Sequence, residues 1–175
     1  MSIENYKPDF LLSAAYQLGA ESLKRHGIRA VLVDLDNTLT AWNNPNGTPE
    51  MRAWLAEMKA THIKVIVVSN NKHDRVKRAV ARFDVPFVSR AMKPFDMGIK
   101  KALKVLGEKP EDAVMVGDQL MTDIRAAKRA GVRSVLVKPL VESDAWNTKF
   151  NRARERRVWR KLIEKYVEPE WQNAI

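Results

Sequence analysis

Four short polar segments stand out in the chain because each one follows a run of apolar residues. They are residues 34–38 (DLDNT), 69–71 (SNN), 93–94 (KP) and 117–123 (GDQLMTD). Between them they hold several carboxylates and one lysine. Gathering such groups in one place is costly unless they pair with each other or bind a cation. The pattern therefore predicts a charged site that contains a metal ion.

A divalent metal would relieve the repulsion among the predicted ligands Asp34, Asp36 and Asp118. These ligands offer only oxygen, and neither histidine nor cysteine occurs at these points, so Mg²⁺ is the expected ion. Asp123 lies in the same segment as Asp118. We expect it to support the ligands by hydrogen bonding rather than to bind the ion itself.

The same residues suit the hydrolysis of a phosphate monoester, which needs a nucleophile, charge neutralisation and a proton for the leaving alcohol. Asp34 is the predicted nucleophile and would form an aspartyl-phosphate. Asp36 would face the same way in an extended backbone, so it is expected to protonate the leaving oxygen and then to activate water. Lys93 would hold the nucleophile and compensate the phosphate charge. The predicted substrate-binding residues are Thr38, Ser69, Asn70 and Lys93.

The hydrophobic pattern indicates the elements that must position these residues. Near-continuous apolar runs are typical of strands buried on both faces of a parallel sheet. Five such runs lie at residues 30–34, 63–68, 85–88, 113–116 and 134–137, and helical patterns separate them at 48–60, 72–83, 94–106 and 122–130. The alternation predicts an α/β fold with helices on both faces of the sheet. Ligands bind such sheets at the carboxyl ends of the strands, where the four polar segments fall.

These four segments, in this order, resemble the motifs of the haloacid dehalogenase (HAD) superfamily of phosphohydrolases. The resemblance covers Arg29 to Lys138. It implies a Rossmann-like, three-layer α/β/α fold with a mainly parallel five-stranded sheet in the order 5-4-1-2-3. It also implies Mg²⁺ held by a side-chain oxygen of Asp34, the backbone carbonyl of Asp36 and the segment of Asp118. An acid at position 36 is typical of the phosphatases of the family.

HAD enzymes that act on small metabolites often carry a cap domain after the first or the third strand. Here only thirty residues separate Thr38 from Ser69, and twenty-three separate Ser69 from Lys93. The predicted helices and strands already fill both intervals, so no cap domain is expected. The site should be open apart from a small flap at residues 39–47, and open sites suit large substrates. Trp42 of the flap would pack either on substrate or on the core.

The capless layout resembles HAD subfamily IIIA, and the runs VDLDNTLTAWN, VVSNN, MKP, GDQLMTD and TKFNRARER are similar to those of YqeG-type phosphatases. That group is related to phosphatidylglycerophosphate phosphatases. The resemblance implies a phosphomonoester hydrolase for large or membrane-associated substrates, with phosphatidylglycerophosphate as a candidate. Two alternatives stay open: a soluble phosphatase of nucleotides, sugar phosphates or phosphoproteins, and an RNA-, ribosome- or membrane-binding protein with a vestigial site.

Flanking segments complete the chain. We expect residues 1–28 to form an N-terminal helical segment packed on a phosphatase core at 29–140, and residues 141–175 to form a basic C-terminal helix. Lys149 to Lys161 holds seven Lys or Arg against one acid, Glu155. Apolar residues recur there at helical spacing. Such a helix suits docking on the sheet, contact with an anionic membrane surface or contact with nucleic acid.

The composition limits the partners and the cellular compartment that can be expected. The chain has 31 Lys and Arg against 21 Asp and Glu, a formal charge of +10 that favours an anionic partner such as a phosphorylated substrate. It has no cysteine, which excludes disulfides and a cysteine nucleophile and fits a reducing cytoplasm. No signal-peptide pattern and no apolar stretch of ~20 residues is seen. We expect a cytoplasmic protein, with peripheral membrane attachment as an alternative. The oligomeric state stays open.

Overall fold

A computed structural model describes residues 2–41, 43–141, 146–166 and 170–175. Its centre is a sheet in which every strand is parallel to its neighbours. The strands are β1 (Phe10–Leu12), β2 (Ala30–Val33), β3 (Lys64–Val68), β4 (Phe87–Val88), β5 (Ala113–Gly117) and β6 (Arg133–Val137). Their order is β1-β6-β5-β2-β3-β4. The strands that precede the first, second and fourth polar segments are therefore neighbours in the middle of the sheet.

The central strands form from apolar, largely β-branched residues because both of their faces are covered. Every residue of β2 and β5 is buried, and β3 exposes only Lys64 at its start. Val33 lies opposite both Val67 and Val116. The residues that follow these strands therefore leave the sheet at the same edge.

Helices cover both faces of the sheet. They are α1 (Ala20–Arg25), α2 (Pro49–Ala60), α3 (His73–Val80), α4 (Met97–Leu106), α5 (Arg125–Ala130) and α6 (Trp146–Lys165). On one face, Trp54 of α2 and Val76 of α3 pack into a core cluster. On the other, Ile99 of α4 and Ala126 of α5 pack into a second cluster. The three-layer α/β/α fold class is thereby confirmed.

The start of α2 shows how sequence signals set a helix boundary. The Thr48 hydroxyl accepts the backbone N–H of Met51 at 3.2 Å, and Pro49 occupies the first helical position. A threonine cap satisfies a free amide, while proline has no amide to satisfy. This arrangement is the one that the Thr-Pro pair predicts.

Among the described residues the sheet has six strands rather than the five expected. Residues 10–12, in the segment expected to be helical, form β1 alongside β6. Asp9 fixes this edge, since its Oδ2 accepts the backbone N–H and the hydroxyl of Ser134 at 2.8 and 3.0 Å. A three-residue strand is too short to show a period that separates it from a helix. The other five strands keep the implied order, as β6-β5-β2-β3-β4.

Helix α6 docks on the molecule through its apolar stripe. Leu162 is buried in a cluster with Leu120 and Leu136, and Val158 and Trp159 pack against that cluster. The exposed residues of α6 include Arg154, Arg156, Arg157, Arg160 and Lys161. The apolar stripe is thus occupied by core contacts, while the basic residues face solvent.

Two further sequence expectations concern membranes and the flap. None of the described helices is both long and apolar enough to cross a membrane. Trp42, expected to pack on substrate or on the core, lies outside the described residues.

Candidate active site

The carboxyl ends of the central strands bring the predicted site residues to one edge of the sheet. Asp34 directly follows β2, and its backbone N–H still bonds the carbonyl of Val116 at 2.9 Å. Ser69 follows β3, and Asp118 follows β5. Lys93 comes from the loop after β4. The register of the parallel strands therefore assembles the site.

Lys93 is the centre of the arrangement. Its Nζ donates to Oδ1 of Asp34 at 2.8 Å, to Oδ1 of Asp123 at 2.7 Å and to the carbonyl of Val68 at 2.9 Å. Its side chain is only 3% exposed, so all three of its N–H donors are used within the protein. Burial by itself lowers the pKa of Lys93, but the charges of Asp123 and Asp34 outweigh burial and raise it. The side chain is a fixed buried cation.

Asp123 is held firmly by its own loop. Its Oδ2 accepts the backbone N–H of Gln119 at 3.1 Å, so both of its oxygens are engaged. This close approach needs a glycine at position 117, because a Cβ there would overlap the carboxylate of Asp123. The loop continues as a single wide helical turn at Leu120–Ile124. Asp123 therefore supports Lys93 and the loop.

Asp34, Asp118 and Asp123 form a carboxylate cluster, with one oxygen of each within 4.8 Å of the others. Oδ1 of Asp118 accepts the Thr38 hydroxyl at 3.3 Å. No described residue hydrogen-bonds Oδ2 of Asp34. When all are ionised, the three carboxylates and Lys93 leave two negative charges uncompensated. A divalent cation with oxygen ligands fits this charge, with Asp34 and Asp118 as the side chains available to bind it.

The acidities of these carboxyl groups agree with a cation site. Burial raises the pKa of Asp34 to about 7; the charge of Asp123 adds to the rise, and Lys93 opposes it. Burial also raises the pKa of Asp118 well above its usual range, and the charges of Asp34 and Asp123 act in the same direction. Ionising the pair therefore costs free energy in the protein alone. A bound cation would stabilise the ionised forms and compete with protons.

Asp36 lies on the outer side of the site, with its side chain 46% exposed. Nη1 and Nη2 of Arg75 donate to Oδ2 and Oδ1 of Asp36 at 3.1 and 2.9 Å. The Nδ2 of Asn71 also donates to Oδ2. The Asp36 carboxylate thus stands apart from the carboxylate cluster. Its expected metal contact, through the backbone carbonyl, stays a prediction.

Ser69 and Asn70 organise the loops around Lys93. The Oγ of buried Ser69 accepts the backbone N–H of Asn71 at 3.2 Å. The amide of Asn70 pairs twice with the Lys93 backbone: Oδ1 accepts its N–H at 2.8 Å, and Nδ2 donates to its carbonyl at 2.9 Å. Direct contact of Thr38, Ser69 or Asn70 with substrate stays a prediction.

Sequence reasoning missed two residues at this site. One is Arg75, which pairs with Asp36. The other is Glu155 of α6, which accepts the backbone N–H groups of Leu120 and Met121 at 2.9 and 2.7 Å. Burial raises the pKa of Glu155 to about 7, although the two hydrogen bonds oppose the rise. A signal for Glu155 existed, because it is the one acid in the basic segment 149–161.

Comparisons with known proteins find relatives that are named as phosphatases. Residues 91–164 match the family model described as HAD-hydrolase-like. The chain is 39% identical over 153 residues to the "Probable phosphatase YqeG" of Bacillus subtilis, covering 87% of this chain and 89% of that protein. It is 30% identical over 133 residues to "Phosphatidylglycerophosphate phosphatase 1, chloroplastic/mitochondrial" of Arabidopsis thaliana. That match covers 71% of this chain and 38% of the longer relative.

A solved structure shares the fold. It is the cobalt-bound deoxy-D-mannose-octulosonate 8-phosphate phosphatase of Haemophilus influenzae, with a TM-score of 0.51 at 16% identity over 78% of this chain and 90% of that one. At this identity the likeness speaks for the fold alone. The identity to the Bacillus relative extends over most of both chains. The chain therefore belongs to the HAD-like hydrolases, in the group of phosphatases that includes YqeG.

Proposed function

We propose that this protein is a Mg²⁺-dependent phosphomonoesterase in which Asp34 forms a covalent phosphoryl intermediate. The observation that carries the proposal is the asymmetry of the Asp34 carboxylate. Lys93 holds Oδ1 at 2.8 Å, whereas Oδ2 has no hydrogen-bond donor among the described residues. A carboxylate held through one oxygen and free at the other is oriented for attack through the free one.

In the first half-reaction, Oδ2 of Asp34 attacks phosphorus and the ester P–O bond breaks. Asp36 in its acid form gives its proton to the leaving oxygen, so a neutral alcohol departs and Asp36 becomes a carboxylate. The Arg75–Asp36 pair must open for Asp36 to carry that proton. Both side chains are about half exposed, 52% and 46%, so substrate can displace the contact.

In the second half-reaction, the Asp36 carboxylate takes a proton from water as the water oxygen attacks phosphorus. The bond between Asp34 and phosphorus breaks, inorganic phosphate leaves, and Asp36 is again an acid. Lys93 stays cationic throughout and balances the charge on Asp34 as Asp34 gains and then loses the phosphoryl group.

Asp34 and Asp118 would hold the cation, together with the backbone carbonyl of Asp36. The bound ion supplies positive charge to the phosphoryl oxygens. Mg²⁺ is proposed because the side-chain donors are all oxygen and the cluster carries two uncompensated negative charges.

For the substrate we propose a large, membrane-associated monoester, with phosphatidylglycerophosphate as the first candidate. Between Thr38 and Ser69 the described residues form only a loop, α2 and β3, which leaves the site uncapped. The Arabidopsis relative is named for phosphatidylglycerophosphate. The exposed basic residues of α6 also suit an anionic lipid surface. A soluble phosphatase of nucleotides, sugar phosphates or phosphoproteins is the alternative.

The test is phosphate release with Mg²⁺ from a panel of monoesters: phosphatidylglycerophosphate in mixed micelles, a nucleotide, a sugar phosphate, a phosphopeptide and an aryl phosphate. Wild type is compared with Asp34→Asn and with Asp84→Asn, whose side chain is 94% exposed. We expect turnover that Mg²⁺ supports, Asp34→Asn abolishes and Asp84→Asn leaves intact. If no monoester is hydrolysed, the proposed function fails. If soluble monoesters are strongly preferred, the lipid part fails and the alternative holds.

A further inference from the structure

A pocket of about 210 Å³ is lined by residues of the candidate site, of β6 and of α6. Asp118 lines it together with Trp159 of α6 and Trp171 of the C-terminal tail. Of the predicted site residues, only Asp118 is among the residues that line this pocket. Because Asp118 belongs to both the pocket and the carboxylate cluster, the pocket adjoins the place where a phosphoryl group would bind.

The walls of the pocket are mainly apolar. Leu120, Leu136, Val137 and Pro139 contribute aliphatic surface. The two indole rings stack with their centroids 6.1 Å apart and their planes at 26°. Moving hydrocarbon from water onto such a surface lowers the free energy. The pocket therefore favours an apolar segment in the group that is attached to the phosphate.

Two basic side chains lie among the residues that line the pocket. Lys138 and Arg156 both line the pocket and are exposed. The Lys138 ammonium lies 5.2 Å from the ring centroid of Trp171. Within the part of the chain that the structure describes, neither cation forms an ion pair with a carboxylate. Glu155 also lines the pocket, but both of its oxygens accept backbone N–H groups. Lys138 and Arg156 are thus available to bind a second anion in the pocket.

Three sets of contacts fix the elements that line the pocket. Glu155 ties α6 to the loop of Asp118 through Leu120 and Met121. Leu162 of α6 is buried. The tail is fixed beside β1, where the backbone N–H of Gln172 donates to the carbonyl of Leu11 at 2.9 Å. A preformed pocket binds without the cost of ordering its walls.

We propose that this pocket binds the leaving group of the substrate, and that it selects a leaving group with an apolar segment and a second anionic group. The proposal rests on the proposed function, since it assumes that the phosphoryl group binds at the carboxylate cluster. The second anion could be the phosphodiester of a lipid or the anion of a soluble metabolite. The chemistry that the pocket recognises is the same in both.

The experiment measures binding by calorimetry with Mg²⁺, using phosphonates, whose C–P bond is not hydrolysed. The probes are methylphosphonate, hexylphosphonate and a phosphonohexanoate, which adds a terminal carboxylate. We expect hexylphosphonate to bind about tenfold more tightly than methylphosphonate, and the carboxylate to add about tenfold more. Equal affinity of methyl- and hexylphosphonate would overturn the apolar part of the proposal.

Matched double variants test the cations. Lys138→Ala/Arg156→Ala should abolish the preference for phosphonohexanoate over hexylphosphonate. Arg154→Ala/Arg160→Ala removes two exposed charges of α6 that do not line the pocket and should retain that preference. A preference that survives in Lys138→Ala/Arg156→Ala, or that is absent from wild type, overturns the anion part.

Two further measurements distinguish a lipid from a soluble source of the anion, and a failure of the pocket from a failure of the proposed function. Tighter binding of a short-chain phosphonate analogue of phosphatidylglycerophosphate than of phosphonohexanoate supports the pocket with a lipid as the source; equal binding supports it with a soluble source. Hydrolysis of acetyl phosphate, whose leaving group is too small to fill the pocket, is measured on the same protein. Absence of that hydrolysis counts against the proposed function, while the phosphonate preferences still decide the pocket.

Discussion

The Nζ of Lys93 lies 2.8 Å from Oδ1 of Asp34, and the lysine that makes this contact is almost wholly buried. The same ammonium group binds Asp123, which in turn is fixed by the backbone of Gln119. Asp34 is therefore held by a chain of contacts that begins in the loop after β5. The position of the proposed nucleophile depends on a residue 59 positions away in the sequence.

Lys93→Met should destabilise the protein. Methionine has a similar length but no charge, so Asp34 and Asp123 would be left buried without their cation. Breaking a buried ion pair from one side costs about 3–5 kcal/mol, and we expect a loss of this size in metal-free urea unfolding. Lys100→Met is the control, because Lys100 pairs with Asp96 on the surface and should unfold nearly as wild type does. Wild-type stability of Lys93→Met would contradict the role given to this ammonium group.

Asp118→Asn should weaken Mg²⁺ binding by more than about tenfold. Even mutating a residue that only hydrogen-bonds a metal ligand typically lowers metal affinity about 10- to 100-fold. Titration calorimetry and the dependence of phosphate release on Mg²⁺ concentration measure the effect. Asp74→Asn, which removes an exposed carboxylate in the first turn of α3, is the control. An unchanged Mg²⁺ titration of Asp118→Asn would exclude Asp118 as a ligand.

Asp36→Asn should slow alkyl phosphates more than activated aryl phosphates. An alkoxide needs a proton to leave, whereas an activated phenolate leaves readily without one. General acid catalysis contributes about 10²–10⁴-fold, so we expect a loss in that range for alkyl substrates and a smaller one for aryl substrates. The measurement is kcat/KM for a series of leaving groups. Equal slowing across the series would show that Asp36 does not protonate the leaving oxygen.

Glu155 should make stability fall as pH rises toward neutrality. Burial raises its pKa to about 7 from the ordinary value of 4.5, so the folded protein holds this proton more tightly than the unfolded chain does. The stability from protonated Glu155 is complete below pH 4.5 and is lost as pH rises through about 7.

Glu155→Gln carries no charge at any pH, so its free energy of unfolding should lack this fall. The difference in slope between wild type and Glu155→Gln can reach about 1.4 kcal/mol per pH unit. Urea unfolding between pH 4.5 and 7 measures it, with Glu164→Gln, an exposed change on α6, as the control. Parallel stability curves for wild type and Glu155→Gln would contradict the buried placement of Glu155.

Much of the fold and of the candidate site was predictable because a parallel sheet converts sequence order into position. Each apolar run ends in polar residues, and the carboxyl ends of parallel strands share an edge. That rule alone brings Asp34, Ser69 and Asp118 together. It does not specify that Lys93 contacts Asp123, since that contact depends on the wide turn after β5 and on Gly117.

The contacts that escaped prediction join segments that no short-range pattern connects. Glu155 reaches Leu120 across 35 residues, and Arg75 reaches Asp36 across 39. Charge patterning places such residues on a helix but does not choose their partners. β1 was not predicted for a different reason. Its three residues are too few to show a period that distinguishes a strand from a helix.

Trapping the phosphoryl group tests the central claim most directly. Borohydride reduces an aspartyl-phosphate to homoserine, which peptide mass spectrometry locates in the chain. For wild type quenched during turnover, we predict homoserine at position 34 that requires both substrate and Mg²⁺, and none in Asp34→Asn. Turnover by wild type without homoserine at position 34 would contradict the assignment of Asp34 as the nucleophile.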